Sequence, residues 1–86
     1  MYTIEWKETV LKSLERLDKS ITIRIIKRVN QLKESPFKGD IRKLKGAEHE
    51  YRLRVGDYRV IFEVVGENIN ILKVGHRQNI YDYSIS

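Results

Sequence analysis

Two alternating runs, EYRLRV (Glu50–Val55) and YRVIFEVV (Tyr58–Val65), meet across Gly56-Asp57. A Gly-X pair between two runs of period two suits a two-residue type II′ turn, so this stretch commits the chain to a β-hairpin. A turn of that length also sets the register: Val55 faces Tyr58 and Arg54 faces Arg59. Alternation then puts Tyr51, Leu53, Val55, Tyr58, Val60, Phe62 and Val64 on one face. Arg52, Arg54 and Arg59 fall on the other, and a slip of one residue would exchange the two sets.

The other segments supply what covers the apolar face. Residues 2–6 alternate, with Tyr2, Ile4 and Trp6 together, and read as a short strand. Val10, Leu11, Leu14 and Leu17 then recur at helical spacing, which predicts an amphipathic helix over residues 7–17. Asp18-Lys19 breaks it, and Ser20 is the predicted N-cap of a second helix with the stripe Ile21, Ile25, Val29 and Leu32. Ser35-Pro36 ends that helix, because the residue before proline is pushed out of helical geometry. The short gap between the stripes predicts an antiparallel helical hairpin. Ile41 begins a brief strand before Gly46. Residues 69–75 form a last strand after a predicted three-residue loop, Gly66-Glu67-Asn68. That loop pairs Arg59 with Gly75, keeps Leu72 and Val74 on the covered face and points Arg77 toward the arginines; a two-residue loop would bury Lys73. The expected class is α+β: an N-terminal strand, two helices, then an antiparallel meander of three to four strands.

Eighty-six residues suit a single domain, residues 1–86. Without cysteine, disulfides, thiolate metal sites and a cysteine nucleophile are excluded. Neither a signal peptide nor a membrane span is evident, so a cytoplasmic location is expected. Two histidines and scattered acids make no metal-ligand pattern, and no cofactor is expected.

Seventeen Lys+Arg against twelve Asp+Glu give a net charge of +5. The excess concentrates between positions 41 and 59, at Arg42, Lys43, Lys45, Arg52, Arg54 and Arg59, and Arg77 follows. One strand arginine is an ordinary solvated residue, paired with Glu50, Glu63 or Asp57. Several on one face are different, because like charges directly opposite cost a strand pair up to about 1 kcal/mol. A planar guanidinium matches phosphate oxygens, so the cluster points to a nucleic-acid backbone or an acidic protein segment.

The stretches KLKG (residues 43–46), YRLRVGDYRVIFEV (residues 51–64) and VGHRQNIY (residues 74–81) resemble the RelE/ParE superfamily of toxins from type II toxin–antitoxin pairs. The likeness covers almost the whole chain and agrees with the strand–helix–helix–meander order. It implies one of two activities, and a catalytically weak module whose basic face binds only its partner is the third reading. RelE-like members are ribosome-dependent endoribonucleases that cut mRNA in the decoding site, whereas ParE-like members poison DNA gyrase. Basic residues on both hairpin arms and in the terminal motif place this chain nearer the RelE branch. The resemblance also implies a RelB-like antitoxin as partner in a hetero-oligomer, with the ribosome and mRNA as targets and no membrane.

By motif, Arg52 and Arg54 match the paired basic positions of the first hairpin arm, Arg59 the arginine after the turn, and Arg77 the arginine of the terminal motif. Tyr81 matches the closing tyrosine, with Tyr83 the alternative alignment. RelE-type enzymes commonly carry lysine at the paired positions, and arginine there stabilises charge but does not serve as a base. Metal-free RNA cleavage needs a base for the 2′-OH, an acid for the leaving 5′-oxygen and cations on the phosphate. Arg54, Arg59 and Arg77 are the expected phosphate ligands, and Tyr81 the residue that stacks on a base or shares proton transfer. His76 is a candidate acid or base, since imidazole titrates near neutrality, although alternation sends it away from Arg77 unless the strand has ended. Lys43 and Lys45 are expected to contact RNA or ribosome, while His49 reads as a surface residue.

Overall fold

The computed structural model describes residues 1–78 and 80. Tyr81 and Tyr83 lie outside the described residues. The elements run β1 (Thr3–Trp6), α1 (Glu8–Glu15), α2 (Lys19–Asn30), a 3-10 turn (Gln31–Lys33), β2 (Ile41–Lys43), β3 (Glu50–Val55), β4 (Tyr58–Val65) and β5 (Asn68–His76). They build one five-stranded sheet in the order β1-β5-β4-β3-β2. β2 to β5 form the expected antiparallel meander. β1 closes the opposite edge parallel to β5, which makes the sheet mixed. The chain between the two strands holds both helices and β2 to β4, so their parallel pairing needs no tight turn.

Both helices pack on one face. Val10 and Leu14 of α1 and Ile25 and Val29 of α2 join Leu53, Val60, Phe62, Ile69, Ile71 and Val74 in the main core. Phe62 is fully buried at its centre and stacks on Tyr51, ring centroids 5.6 Å apart. The stripes read from the sequence are therefore the ones that face the sheet. Helix bounds differ at their ends. α1 stops at Glu15, and α2 begins one residue before Ser20, after Asp18, whose side chain makes no capping bond. Instead Thr22 Oγ1 donates to Leu14 O at 2.9 Å and ties the two helices together. α2 gives way to 3-10 geometry at Gln31, four residues before Ser35-Pro36. No helix among the described residues is long and apolar enough to cross a membrane.

The first hairpin has the expected register, with Val55 opposite Tyr58 and Arg54 opposite Arg59. Gly56 has φ +59°, and no described non-glycine residue has positive φ, the sign pattern of a type II′ turn. The second hairpin corrects the sequence reading. Its turn is two residues, Gly66-Glu67, with Val65 opposite Asn68, not three. Parity is restored farther along. Ile61 pairs with Lys73 while Phe62 pairs with Ile71, so Leu72 is an extra residue in β5. This bulge brings Arg59 opposite Gly75 as expected and leaves Lys73 only partly buried. It also moves Leu72 off the helix-covered side. Leu72 packs instead against a second, smaller cluster of Leu44, Ile61 and Ile80, with Ala47. The face opposite the helices is thus half apolar. Ile61 sits between Arg59 and Glu63 in the alternation of β4 and was the residue that signalled it.

Candidate functional site

The open face of the sheet is sorted by charge along its strands. At one end the cross-strand row runs Glu50, Glu63, Asn70, Glu5, and Asn70 Nδ2 donates to Glu63 Oε2 at 2.9 Å. At the other end Arg42 lies opposite Arg52, and Arg54 opposite Arg59. The carboxylates considered as partners for the arginines are therefore elsewhere: Glu50 and Glu63 face each other, and Asp57 is in the turn. Among the described residues no carboxylate forms an ion pair with Arg52, Arg54, Arg59 or Arg77.

Asp40, Arg42, Arg52, Arg54 and Arg59 line a cleft of about 160 Å³. Four arginines and a single acidic residue line it. Each of the two opposed arginine pairs costs the sheet about 0.2–1 kcal/mol. Folding tolerates that expense because the other face buries the main core.

Arg59 differs from the rest. It is only 8% exposed, whereas Arg54 and Arg42 are exposed and Arg52 is half-buried. Its Nη1 donates to Gly56 O at 2.9 Å and Tyr58 O at 3.0 Å, which fastens the guanidinium to the backbone of the β3–β4 turn. Among the described residues no buried side-chain nitrogen or oxygen lacks a hydrogen-bond partner. The Nε and Nη2 donors of Arg59 have no hydrogen-bond partner among the described residues, so they keep some solvent access, and Arg59 lines the cleft. Opposite Arg59, Gly75 has no side chain, and a Cβ there would lie 3.3 Å from Ile80 Cδ1. Glycine lets the fully buried Ile80 settle on the sheet beside the arginine.

The remaining candidates are placed differently. Arg77 does not line the cleft; its side chain is exposed, and its backbone N–H donates to Asp57 O at 2.8 Å, holding residue 77 beside the turn. β5 ends at His76, whose ring meets Tyr58 edge-on at 5.5 Å and whose Nδ1 accepts from the Gln78 N–H. Tyr58 packs against the main core, so His76 is on the helix side of the sheet, away from the arginines. Lys43 pairs with Tyr51 and so shares the helix-side face of edge strand β2, opposite to Arg42. Lys45 is exposed in the following turn and lines no part of the cleft.

Two lining residues escaped the sequence reading as site residues, Asp40 and Arg42. Pairing the brief strand at Ile41 with the first hairpin arm would have revealed Arg42, because it then stands against Arg52. Asp40 enters through its backbone: the Arg54 N–H donates to Asp40 O at 2.9 Å, just before β2 begins. Among the described residues no group of three or more metal-ligating side chains is assembled.

Comparison with known proteins agrees with this architecture. The family model described as the ParE toxin of type II toxin–antitoxin system, parDE, matches residues 4–81. Toxin RelE3 of Methanocaldococcus jannaschii is 39% identical over 80 residues, 88% of this chain and 91% of that protein. Among solved structures, the RelB–RelE antitoxin–toxin complex from Methanococcus jannaschii aligns with TM-score 0.73 at 37% identity, covering 91% of this chain and 95% of the matched one. The archaeal RelE–RelB complex from Pyrococcus horikoshii OT3 aligns with TM-score 0.78 at 34% identity, over 91% and 97% of the two chains. The chain belongs to the RelE/ParE superfamily of toxins of type II toxin–antitoxin systems.

Proposed function

We propose that the chain is a ribosome-dependent endoribonuclease that cuts mRNA in the decoding site and is held inactive by a RelB-like antitoxin. The observation that carries this reading is the arginine cleft, where two opposed like-charge pairs leave four guanidinium groups around one opening. An arrangement that costs the sheet stability and has no partner within the described fold is matched by a phosphate, whose oxygens take guanidinium forks bidentately.

Cleavage proceeds by attack of the 2′-oxygen on the adjacent phosphorus. The 2′-OH loses its proton, the O2′–P bond forms and the P–O5′ bond breaks. The products are a 2′,3′-cyclic phosphate and a 5′-OH, the leaving oxygen having taken a proton. Charge grows on the phosphoryl oxygens in the pentacovalent state, and fixed donors aimed there are worth most. Arg59 fits that role: it is buried, anchored through Nη1, and lines the cleft with Nε and Nη2 unpaired among the described residues. Arg52, Arg54 and Arg42 hold the flanking phosphates. Arginine does not act as the base. Asp40 is the one acidic residue among those lining the cleft, and its side chain is the proton acceptor of this scheme. Tyr81 stacks on the base or supplies the leaving-group proton, the role its motif implies. Orientation on the ribosome supplies much of the remaining acceleration, since positioning alone is worth roughly 7–11 kcal/mol.

A second reading rests on the ParE family match: a toxin that inhibits DNA gyrase, with the same arginines gripping protein. A translation reaction on a defined message, run beside a gyrase supercoiling assay, separates them. Cleavage within the codon in the decoding site, with supercoiling intact, is the expected result. An intact message with blocked supercoiling would replace the first reading with the second.

A further inference from the structure

A second basic cleft lies on the other side of the same strand end. Its volume is about 400 Å³, and its walls include Arg24, Lys27 and Arg28 of α2 together with Asp40, Arg54 and Gly56. Arg54 and Asp40 also line the arginine cleft on the open face. The fold explains how they serve both. β2 begins only at Ile41, opposite Leu53, so at Arg54 strand β3 becomes the edge of the sheet. There, among the described residues, its backbone N–H bonds only Asp40 O, and the long Arg54 side chain borders both openings.

The α2 side has its own unfavourable charge arrangement. Arg24, Lys27 and Arg28 fall at i, i+3 and i+4 and share one helix surface, where like charges repel. The helix dipole favours cations in the last turn, which accounts for Lys27 and Arg28 but not Arg24, a turn earlier. Arg28 is committed to the fold, bonding Gln31 Oε1 at 3.1 Å and Lys38 O at 3.4 Å. Arg24 and Lys27 have no hydrogen bond or ion pair among the described residues. The Arg24 guanidinium reaches over the hairpin turn, with its Nη2 3.3 Å from where a Cβ on Gly56 would stand.

We infer that this α2 cleft is a second phosphate subsite, which takes the backbone of the same RNA strand as it passes over the sheet edge from the arginine cleft, with Arg24 and Lys27 as its ligands and Arg54 as the shared link. The inference rests on the RNA reading above and deepens it. The wall chemistry favours RNA over a protein segment. Of the cleft's lining residues Val55 alone is a large apolar one, whereas a docked helix or strand needs several apolar anchors. A strand of phosphates needs only cations spaced along a path.

The test uses the full chain and fluorescein-labelled single-stranded RNAs of ten and three nucleotides, followed by anisotropy across a salt series. The variants are Arg24→Ala/Lys27→Ala and, separately, Arg52→Ala. The double variant is expected to bind the ten-mer on the order of tenfold more weakly at 0.1 M salt, with the log–log salt slope shallower by about 1.4. Its three-mer affinity is expected to change less than twofold, while Arg52→Ala weakens both lengths. Equal losses on both lengths with the double variant would mark a general field effect and overturn the subsite. Unchanged binding of both lengths, with Arg52→Ala still effective, would overturn it too and leave the arginine cleft standing. A length-dependent loss with the double variant and none with Arg52→Ala would overturn the inference of a strand running between the two clefts, because the α2 residues would then bind RNA without the arginine cleft. Loss confined to an acidic peptide probe, with RNA binding intact, would overturn the subsite in favour of a protein partner.

Discussion

The two faces of this sheet are made from the same strands yet obey different rules. On the helix side, Leu53, Val60, Phe62, Ile69 and Ile71 are fully buried, and every neighbour adds to the next. On the open side, Arg42 confronts Arg52 and Arg54 confronts Arg59, so neighbours oppose one another. The main core lies on one face and the opposed arginine pairs on the other, separated by a single strand thickness. Substitutions should therefore divide by environment: changes in the main core alter folding, and changes among the open-face arginines alter function.

The largest expected effect is on the helix side. Phe62→Ala should lower unfolding free energy by about 3–5 kcal/mol in a denaturant titration, because its cavity opens at the centre of the core. Next comes the residue that belongs to both regions, Arg59, buried like a core residue but charged. Arg59→Ala should slow message cleavage by at least about 10²-fold, the usual consequence of removing one fixed donor from a developing oxyanion. Unfolding should shift far less than for Phe62→Ala. Gly56→Ala sharpens the contrast at the joint between the faces. Its positive φ costs an alanine about 1–2 kcal/mol, and the new methyl presses on Arg24, so both melting temperature and affinity for a ten-nucleotide RNA should fall. The smallest effect carries the opposite sign. Arg54→Glu turns a like-charge pair with Arg59 into an opposite-charge pair and should raise stability by a few tenths to about 1 kcal/mol while weakening RNA binding. A loss of stability in that variant would break the distinction between the faces.

Much of this was legible from residues alone, for identifiable reasons. Gly56-Asp57 fixed the first hairpin, because a two-residue turn leaves a single register that buries Tyr51, Leu53 and Phe62 together. The second hairpin was misread because the bulge at Leu72 has no local signature; its effect appears only when Ile71 and Val74 must both reach the core. The arginine pairing across β3 and β4 followed from the turn, but the burial of Arg59 did not. That depends on the Gly56 and Tyr58 carbonyls of the adjoining turn accepting from its guanidinium, a side-chain conformation that alternation does not specify, and on Ile80 packed over Gly75. Asp40 was hidden for a similar reason, since a backbone bond to Arg54 brings it to the cleft from outside any strand.

The guanidinium groups of the open face are taken to exist for a phosphate, with Arg59 as the fixed donor at the reacting centre. Single-turnover cleavage of a ribosome-bound message by Arg59→Ala, measured at a temperature where the variant is folded, reads that claim directly. A fall of two orders of magnitude or more is the expected result. A rate within about twofold of the unaltered chain would contradict it, since a buried, anchored donor in this cleft cannot be both central to the reaction and dispensable.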